Sequence, residues 1–369
     1  MDTTSGPSSD RRRLEVRPAG RLVRAARDVD GLLRVHFVFF SALLPVLGGV
    51  SVRRTLSPGA IAALVAIGLC FHVFAYVLND VVDLPIDRTQ PLRRRDPLVR
   101  GVIRPGQALG LALAAVPLGL ALTLAPPLRG GWAAAIALCV GFGCMAVYDV
   151  YGKRAAFPPL TDAVQGVAWG SLAVVGALAV GGPTTAGTWV AAAHAALFIL
   201  LINGIHGGLR DLANDVAGGA RTTAIVFGAR PRAAGGIDVP PAVAAFAFTV
   251  TALVLAVDGA AVWGNAFGYD GATRQAMLAV VGALAVLALG LLGAVLRPHG
   301  VVFQVGFRLQ MFLLLMLLPI VFFPSLSPAV RWTLGVLLAL SVVAFFVGAE
   351  DAGEEVQGQR APEQEGRTQ

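Results

Sequence analysis

The chain is poor in charge: Asp, Glu, Lys and Arg make up 14% of its 369 residues, against about 25% in soluble globular domains. Lysine is almost missing, Lys153 being the single example. Cysteine is scarce too, and Cys70, Cys139 and Cys144 all lie inside apolar runs, which argues against a disulfide framework and against a cysteine-based zinc site. The N-terminal stretch lacks the short apolar core and small-residue cleavage site of a signal peptide. The arginines form no continuous basic face, so no nucleic-acid partner is expected.

What is abundant is apolar sequence, 56% of the chain, with a mean hydropathy of +0.73. A spanning helix takes about 20 apolar residues, and the chain offers ten such windows. They run approximately over 32–51, 59–84, 106–127, 131–151, 161–182, 186–208, 239–257, 275–296, 303–323 and 329–349. The expected organisation is a disordered Arg-rich arm over 1–30, one transmembrane domain over 31–349 and a disordered acidic tail over 350–369. Basic residues fall 20 to 4 in favour of the N-terminal arm and the loops after even-numbered spans. Cytoplasmic loops retain Lys and Arg, so the N-terminus and the two long basic loops are expected in the cytoplasm. Glycine is plentiful, 44 residues, and much of it lies within the spans, as close helix packing requires.

The end of the second span carries His72, Tyr76, Asn79, Asp80, Asp83 and Asp87 at spacings of three or four, which places them on one polar stripe of a helix. Pro85 is expected to bend or end that helix. A carboxylate in hydrocarbon costs about 2.5–3.5 kcal/mol on insertion scales, so cations should stand beside these. The sixth span ends similarly, with Asn203, His206 and Arg210 followed by Asp211 and Asp215. Both spans being even-numbered, the two acidic clusters emerge on one side and can share a cavity. Carboxylates and an amide oxygen suit Mg²⁺, which keeps waters and is commonly shared with a substrate phosphate. Arginines and Lys153 are placed to grip that phosphate.

Asn79-Asp80-x-x-Asp83-x-x-x-Asp87-Arg88 resembles the first aspartate-rich motif of the UbiA superfamily of intramembrane prenyltransferases, and Arg210-Asp211-x-x-x-Asp215 resembles the second. Asp96-Pro97-Leu98-Val99-Arg100-Gly101, the stretch Gly218 to Gly228 and the Tyr148–Lys153 element are similar to further family segments, with Asp96 where the family carries a basic residue. The resemblance covers about 32–296. It implies an all-α polytopic membrane bundle of nine to ten transmembrane helices around a central cavity open to the cytoplasmic side. It also implies a prenyl diphosphate donor bound through Mg²⁺, with the bilayer able to deliver that donor laterally. In that reading Asn79 and Asp83 hold one Mg²⁺, and Asp211 and Asp215 hold the other. Asp80, Asp87 and Tyr148 support the chemistry, while Lys153, Arg88, Arg154, Arg210 and Arg221 bind the diphosphate.

Some assignments stay open on the residues alone. His206 and His72 are either acceptor-side, proton-handling groups or hydrogen-bonded core histidines; Arg34 either reaches the diphosphate or snorkels to the interface. The segment 258–271 reads as a Gly-rich external turn with interfacial aromatics rather than a calcium loop. The leading expectation is transfer of the prenyl group to a small-molecule acceptor, aromatic as in quinone or natural-product precursors. The same ionising site also suits a membrane terpene cyclase. A cation-coupled transporter, the non-enzymatic alternative, predicts broken helices with charges near the midplane.

Overall fold

The computed structural model describes residues 28–89, 93–94, 96–232, 236–297 and 300–344. The expected arm and tail lie outside these, apart from residues 28–30. Among the described residues the regular structure is helical apart from one short antiparallel pair, Arg230–Pro231 with Ile237–Asp238. The long helices are α1 (Val38–Val52), α2 (Pro58–Asp87), α3 (Pro105–Leu124), α4 (Gly131–Tyr151), α5 (Pro158–Ala179) and α6 (Ala186–Leu201). Two short helices follow, α7 (Leu212–Ala217) and α8 (Thr223–Val226), then α9 (Pro241–Trp263), α10 (Gly271–Val295) and α11 (Gly300–Phe322). A last helix, α12, covers Pro328–Ala344. Among the described residues nine helices are long and apolar enough to cross a membrane, and α12, at 10–17 residues, falls in the shorter class. Of the tenth span expected over 329–349, the part within the described residues is this helix, and 345–349 lie outside them.

Local chemistry sets the helix starts. Ser57 accepts the Ala60 N–H ahead of Pro58, Thr185 accepts that of Thr188, and Asp270 accepts that of Thr273, each satisfying an orphan donor of a first turn. Pro85 does not end the helix, since α2 continues to Asp87; its missing N–H costs the last turn one bond, to the carbonyl of residue 81.

Helix α5 packs against α1, α4 and α6 and is buried along most of its length. Glycine permits this. A Cβ on Gly48 would stand 1.9 Å from the Ala173 carbonyl oxygen, and one on Gly176 1.9 Å from that of Pro45, so α1 and α5 touch backbone to backbone at two reciprocal points. Gly68 of α2 meets the Ser41 carbonyl in the same way, at 2.4 Å. With no hydrophobic driving force between helices in lipid, such close van der Waals packing carries the association. An aromatic cluster of Phe40, Phe71, Tyr76, Phe142, Trp169 and Phe198 fills the bundle between α1, α2, α4, α5 and α6.

One expectation fails on the far side of the bundle. Asp258 is not in an external turn: α9 runs through it to Trp263, and its fully buried carboxylate lies 2.7 Å from the equally buried His194 Nδ1 on α6. The apolar window that ended at 257 stopped one residue short of a charge the helix buries by pairing it.

Candidate active site

The last turns of α2 hold the first acidic cluster, and each of its aspartates has a cation beside it. Arg34 pairs with Asp80 and lies over the Tyr76 ring, 5.1 Å from its centroid. Lys153, just beyond α4, meets Asp83 at 2.9 Å. Arg93 approaches Asp87 at 3.8 Å and Asp96 at 3.7 Å. Asp80, Asp83 and Asp87 are all buried, so these cations supply the neutralisation that the sequence requires. Asp96 accepts the Leu98 N–H at 3.0 Å and shares Arg93 with Asp87.

Arg34 adopts left-handed backbone angles, φ 46° and ψ 52°, a conformation non-glycine residues rarely take. It precedes the short 3₁₀ turn Val35–Phe37 that breaks the chain ahead of α1. Burial alone would lower the Arg34 pKa; the charges of Asp80, Tyr76, Asp96 and Asp87 together outweigh it and hold the guanidinium above its ordinary value. Of the two sequence alternatives for Arg34, the structure places it in the acidic cluster.

The second cluster follows an irregular stretch. After Leu201, α6 widens into a π-helical turn over Ile202–Gly207, returns to α-helix over Gly208–Arg210 and breaks at Asp211 before α7. Single π turns recur at functional sites; here the turn carries Asn203 and His206. Asn203 donates to Gln165 of α5, and His206 is fully buried beside Gln310. Arg210 grips the neighbouring Asp211 through two hydrogen bonds, 2.8 Å from Nε and 2.7 Å from Nη2. Burial would raise Asp211, but the Arg210 fork holds it below its usual value. Burial pushes Asp215 up to about 6, against the pull of the Lys153 ammonium.

Lys153 links the two clusters. It binds Asp83 directly and lies within electrostatic reach of Asp215 and Asp87, and Asp215 in turn feels Asp83. The Lys153 carbonyl accepts the Arg221 N–H at 3.0 Å, tying the loop after α7 to the end of α4. Tyr148 is half-buried and faces the charges of Asp162, Asp149, Asp83 and Asp215.

Not every expected residue joins this arrangement. Arg88 and Arg154 are exposed and make no side-chain bond to another described residue, and the Arg221 guanidinium is engaged by the Ala156 carbonyl at 2.8 Å. The structure also adds residues that spacing did not single out. Asp149 is buried and accepts from Asn79 Nδ2 at 3.5 Å. Asp162, beneath the second cluster, accepts the Thr223 hydroxyl at 2.5 Å. Asp149 lies inside the Tyr148–Lys153 element, so its signal was present; Asp162 and Gln165 are isolated polar residues in an apolar helix, visible only as intramembrane anomalies.

No three His, Cys, Asp or Glu side chains among the described residues gather tightly enough to cage a metal alone. What is present is hard oxygen in pairs: Asn79 with Asp83, and Asp211 with Asp215. Asp215 Oδ1, Asp80 Oδ2 and Asp149 Oδ2 are buried without hydrogen-bond partners, an uncommon condition that points to a missing ligand. Such pairs fit a small hard cation whose remaining positions are taken by water and phosphate oxygens.

A membrane-embedded helical bundle with two facing acidic clusters and a lysine between them defines a class of intramembrane enzymes acting on charged lipids. The model of the UbiA prenyltransferase family matches residues 42–297, and the chain belongs to that family. Its fold is similar to a UbiA homolog from Aeropyrum pernix K1, with 18% identity, TM-score 0.58, and 79% of this chain and 98% of that one covered. It is also similar to a digeranylgeranylglyceryl phosphate synthase, with 17% identity, TM-score 0.60, and 82% and 98% covered. A UbiA homolog from Archaeoglobus fulgidus bound to GPP and Mg²⁺ matches at 18% identity and TM-score 0.56, with 80% and 99% covered. No curated protein matches the sequence.

Proposed function

We propose that this intramembrane prenyltransferase binds the diphosphate of an allylic prenyl donor between its two acidic clusters and transfers the prenyl group to a small-molecule acceptor, aromatic in kind. The observation that carries this reading is Lys153, bonded to Asp83 and within reach of Asp215: it gives one anion-binding group to both clusters. The Archaeoglobus neighbour bound to GPP and Mg²⁺ supports the choice of donor and ion.

Asn79 with Asp83, and Asp211 with Asp215, would hold Mg²⁺, Asp80 and Asp87 supporting the first pair. When bound, Mg²⁺ would neutralise charge developing on the departing diphosphate. Lys153 and Arg210 contribute hydrogen bonds to the phosphate oxygens, each turning from its carboxylate. Arg34 fixes Asp80 through their ion pair. Arg88 and Arg154 serve as exposed outer contacts for the diphosphate, and Arg221 braces the loop that carries Lys153. Tyr148 orders the carboxylates around it. The Phe37, Tyr76 and Trp169 rings, in contact beneath the cluster, present π faces to an allylic cation and exclude water that would quench it. The basic-loop count supports a cytoplasmic N-terminus and site.

One observation favours a second outcome at the same site. His72, an acceptor-side candidate, is engaged inside the protein by Ser41 and Leu33, and the Asn203 amide beside the second cluster is engaged by Gln165. A cation facing mainly aromatic walls can instead be captured by its own double bonds, giving a terpene cyclase. The test is diphosphate release by detergent-purified protein with prenyl diphosphates of several lengths, with Mg²⁺ or EDTA, alongside Asp83→Ala and Asp211→Ala and with products analysed by mass spectrometry. Mg²⁺-dependent release, lost in both variants and requiring an aromatic compound, is the expected result. A hydrocarbon or terpene alcohol formed without acceptor would establish the cyclase, and no release from any donor would overturn the prenyl reading.

A further inference from the structure

Gln310 lies beyond the stretch that matches the family, on α11, and is fully buried. Its amide is held at both ends. Nε2 donates to the Ala288 carbonyl of α10 at 3.0 Å, which turns Oε1 toward His206 Nε2, 2.8 Å away. A carbonyl oxygen only accepts, so the proton of the neutral His206 ring sits on Nε2 and leaves Nδ1 as a lone pair. That Nδ1 is buried and has no hydrogen-bond partner. The Phe307 ring, edge-on at 4.9 Å between centroids, packs on the same imidazole and restricts its rotation.

Two other buried histidines make the contrast. His72 Nε2 faces the Leu33 carbonyl at 2.6 Å and must donate, so Nδ1 accepts from the Ser41 hydroxyl at 2.7 Å and no lone pair remains. His194 donates from Nδ1 to Asp258 and keeps Nε2 free, but it lies about 25 Å before Asp211 along α6 at 1.5 Å per residue. His206 lies on the π turn itself, within electrostatic reach of Arg210 and five residues before Asp211. Of the three, it alone combines an open lone pair with a place beside the acidic clusters.

We propose that Gln310 is a positioning residue that fixes His206 as the Nε2–H tautomer and thereby presents Nδ1 as the acceptor of the proton released in prenyl transfer. The proposal rests on the transfer reading above and adds the base that reading lacks. The allylic C–O bond breaks and its electron pair leaves with the diphosphate. The π pair of the acceptor ring forms the new C–C bond, the proton on the bonded ring carbon passes to Nδ1, and the C–H pair restores the ring. The imidazolium so formed keeps its Nε2–H on the Gln310 carbonyl, a dipole already aimed at the developing charge. Base and orienter thus stand in the relation that recurs in activated catalytic pairs.

The test reads the tautomer directly and needs no substrate. Protein labelled with ¹⁵N in its histidine rings is studied by NMR in detergent, His206→Phe assigning the signals. The expected wild-type spectrum has Nε2 protonated and Nδ1 of the bare, lone-pair type. Gln310→Met, close in volume without an acceptor, should give mixed tautomers and lower kcat about 10-fold with KM for the donor unchanged, whereas Gln310→Glu should keep the wild-type tautomer and retain turnover. His206→Phe should lower kcat about 100-fold or more, the scale of a lost general base. A wild-type Nδ1–H signal, or a Gln310→Met protein with unchanged tautomer and kcat, would overturn the proposal while diphosphate release still upholds the transfer reading. No diphosphate release by wild-type protein would instead overturn that reading and the proton-acceptor role with it.

Discussion

Replacing Gly176 by alanine tests the contact that holds α1 against α5. The new Cβ would lie 1.9 Å from the Pro45 carbonyl oxygen. Ordinary contact begins near 3.4 Å, so the helices must part by about 1.5 Å in an interior packed as densely as an organic crystal. Overpacking costs about 1–3 kcal/mol and sometimes more, and the atom struck here is backbone, which no rotamer change can move. Alanine recovers about 1 kcal/mol of helix preference, leaving a net loss of about 2 kcal/mol. Gly48→Ala, which strikes the Ala173 carbonyl across the same interface, should cost a similar amount. Because parting the helices for one methyl also makes room for the other, the double variant should lose little more than either single, a non-additivity of about 2 kcal/mol. Gly143→Ala and Gly290→Ala, whose Cβ atoms would meet nothing within 4 Å, are the controls and should be neutral or slightly stabilising. The assay is reversible unfolding in mixed micelles titrated with SDS, followed by the fluorescence of tryptophans including the buried Trp169. A Gly176→Ala protein as stable as Gly143→Ala, or a double variant whose loss is the sum of the singles, would refute the reasoning.

Three other outcomes follow from particular contacts. His194→Phe strands the buried Asp258 carboxylate and should cost about 3–5 kcal/mol, whereas combining it with Asp258→Leu should recover most of that; equal losses in single and double variants, by the same unfolding assay, would contradict the pairing. Lys153→Met removes the partner of Asp83, and because Lys153 is partly exposed the stability loss should stay near 1–2 kcal/mol. The KM for prenyl diphosphate should nevertheless rise about 10-fold, equivalent to about 1.4 kcal/mol, and an unchanged KM would remove Lys153 from diphosphate binding. Asp270 caps α10, and its bonds to the Thr273 N–H and hydroxyl hold its carboxyl below the ordinary 3.8. A depressed folded value means stabilisation that is present above 3.8 and lost as pH falls through the folded value. Asp270→Ala should therefore be less stable than wild type at pH 7, with the difference shrinking as pH falls below 3.8, as pH-dependent unfolding would show.

Much of the fold was legible because membrane insertion writes itself in composition: a run long enough to cross hydrocarbon with hardly a charge has few other uses. Nine of the ten windows correspond to long apolar helices, most with ends shifted by a few residues at capping Ser, Thr, Asp and Pro positions. The windows misplaced Asp258, because a charge looks like a boundary until its partner is known, and His194 gives no sign of that partnership at a separation of 64 residues. The acidic clusters were legible from spacing alone. Their neutralising partners were not: Arg34 reaches Asp80, and Lys153 reaches Asp83, through tertiary contacts. The π turn over Ile202–Gly207 was equally hidden, since its residues also satisfy a regular helical period. Gln310 illustrates the limit most clearly, because a single amide in an apolar helix acquires meaning only when Ala288 and His206 are seen at its two ends.

The most direct measurement is calorimetric binding of an unreactive prenyl thiolodiphosphate to the detergent-solubilised protein, with Mg²⁺ or EDTA, for wild type, Asp83→Ala and Asp215→Ala. If the two clusters act together on one diphosphate, wild type binds the analogue at a single site only when Mg²⁺ is present, and either substitution weakens that binding by at least about 10-fold. Binding that is indifferent to EDTA, or that needs one cluster and not the other, would contradict the account.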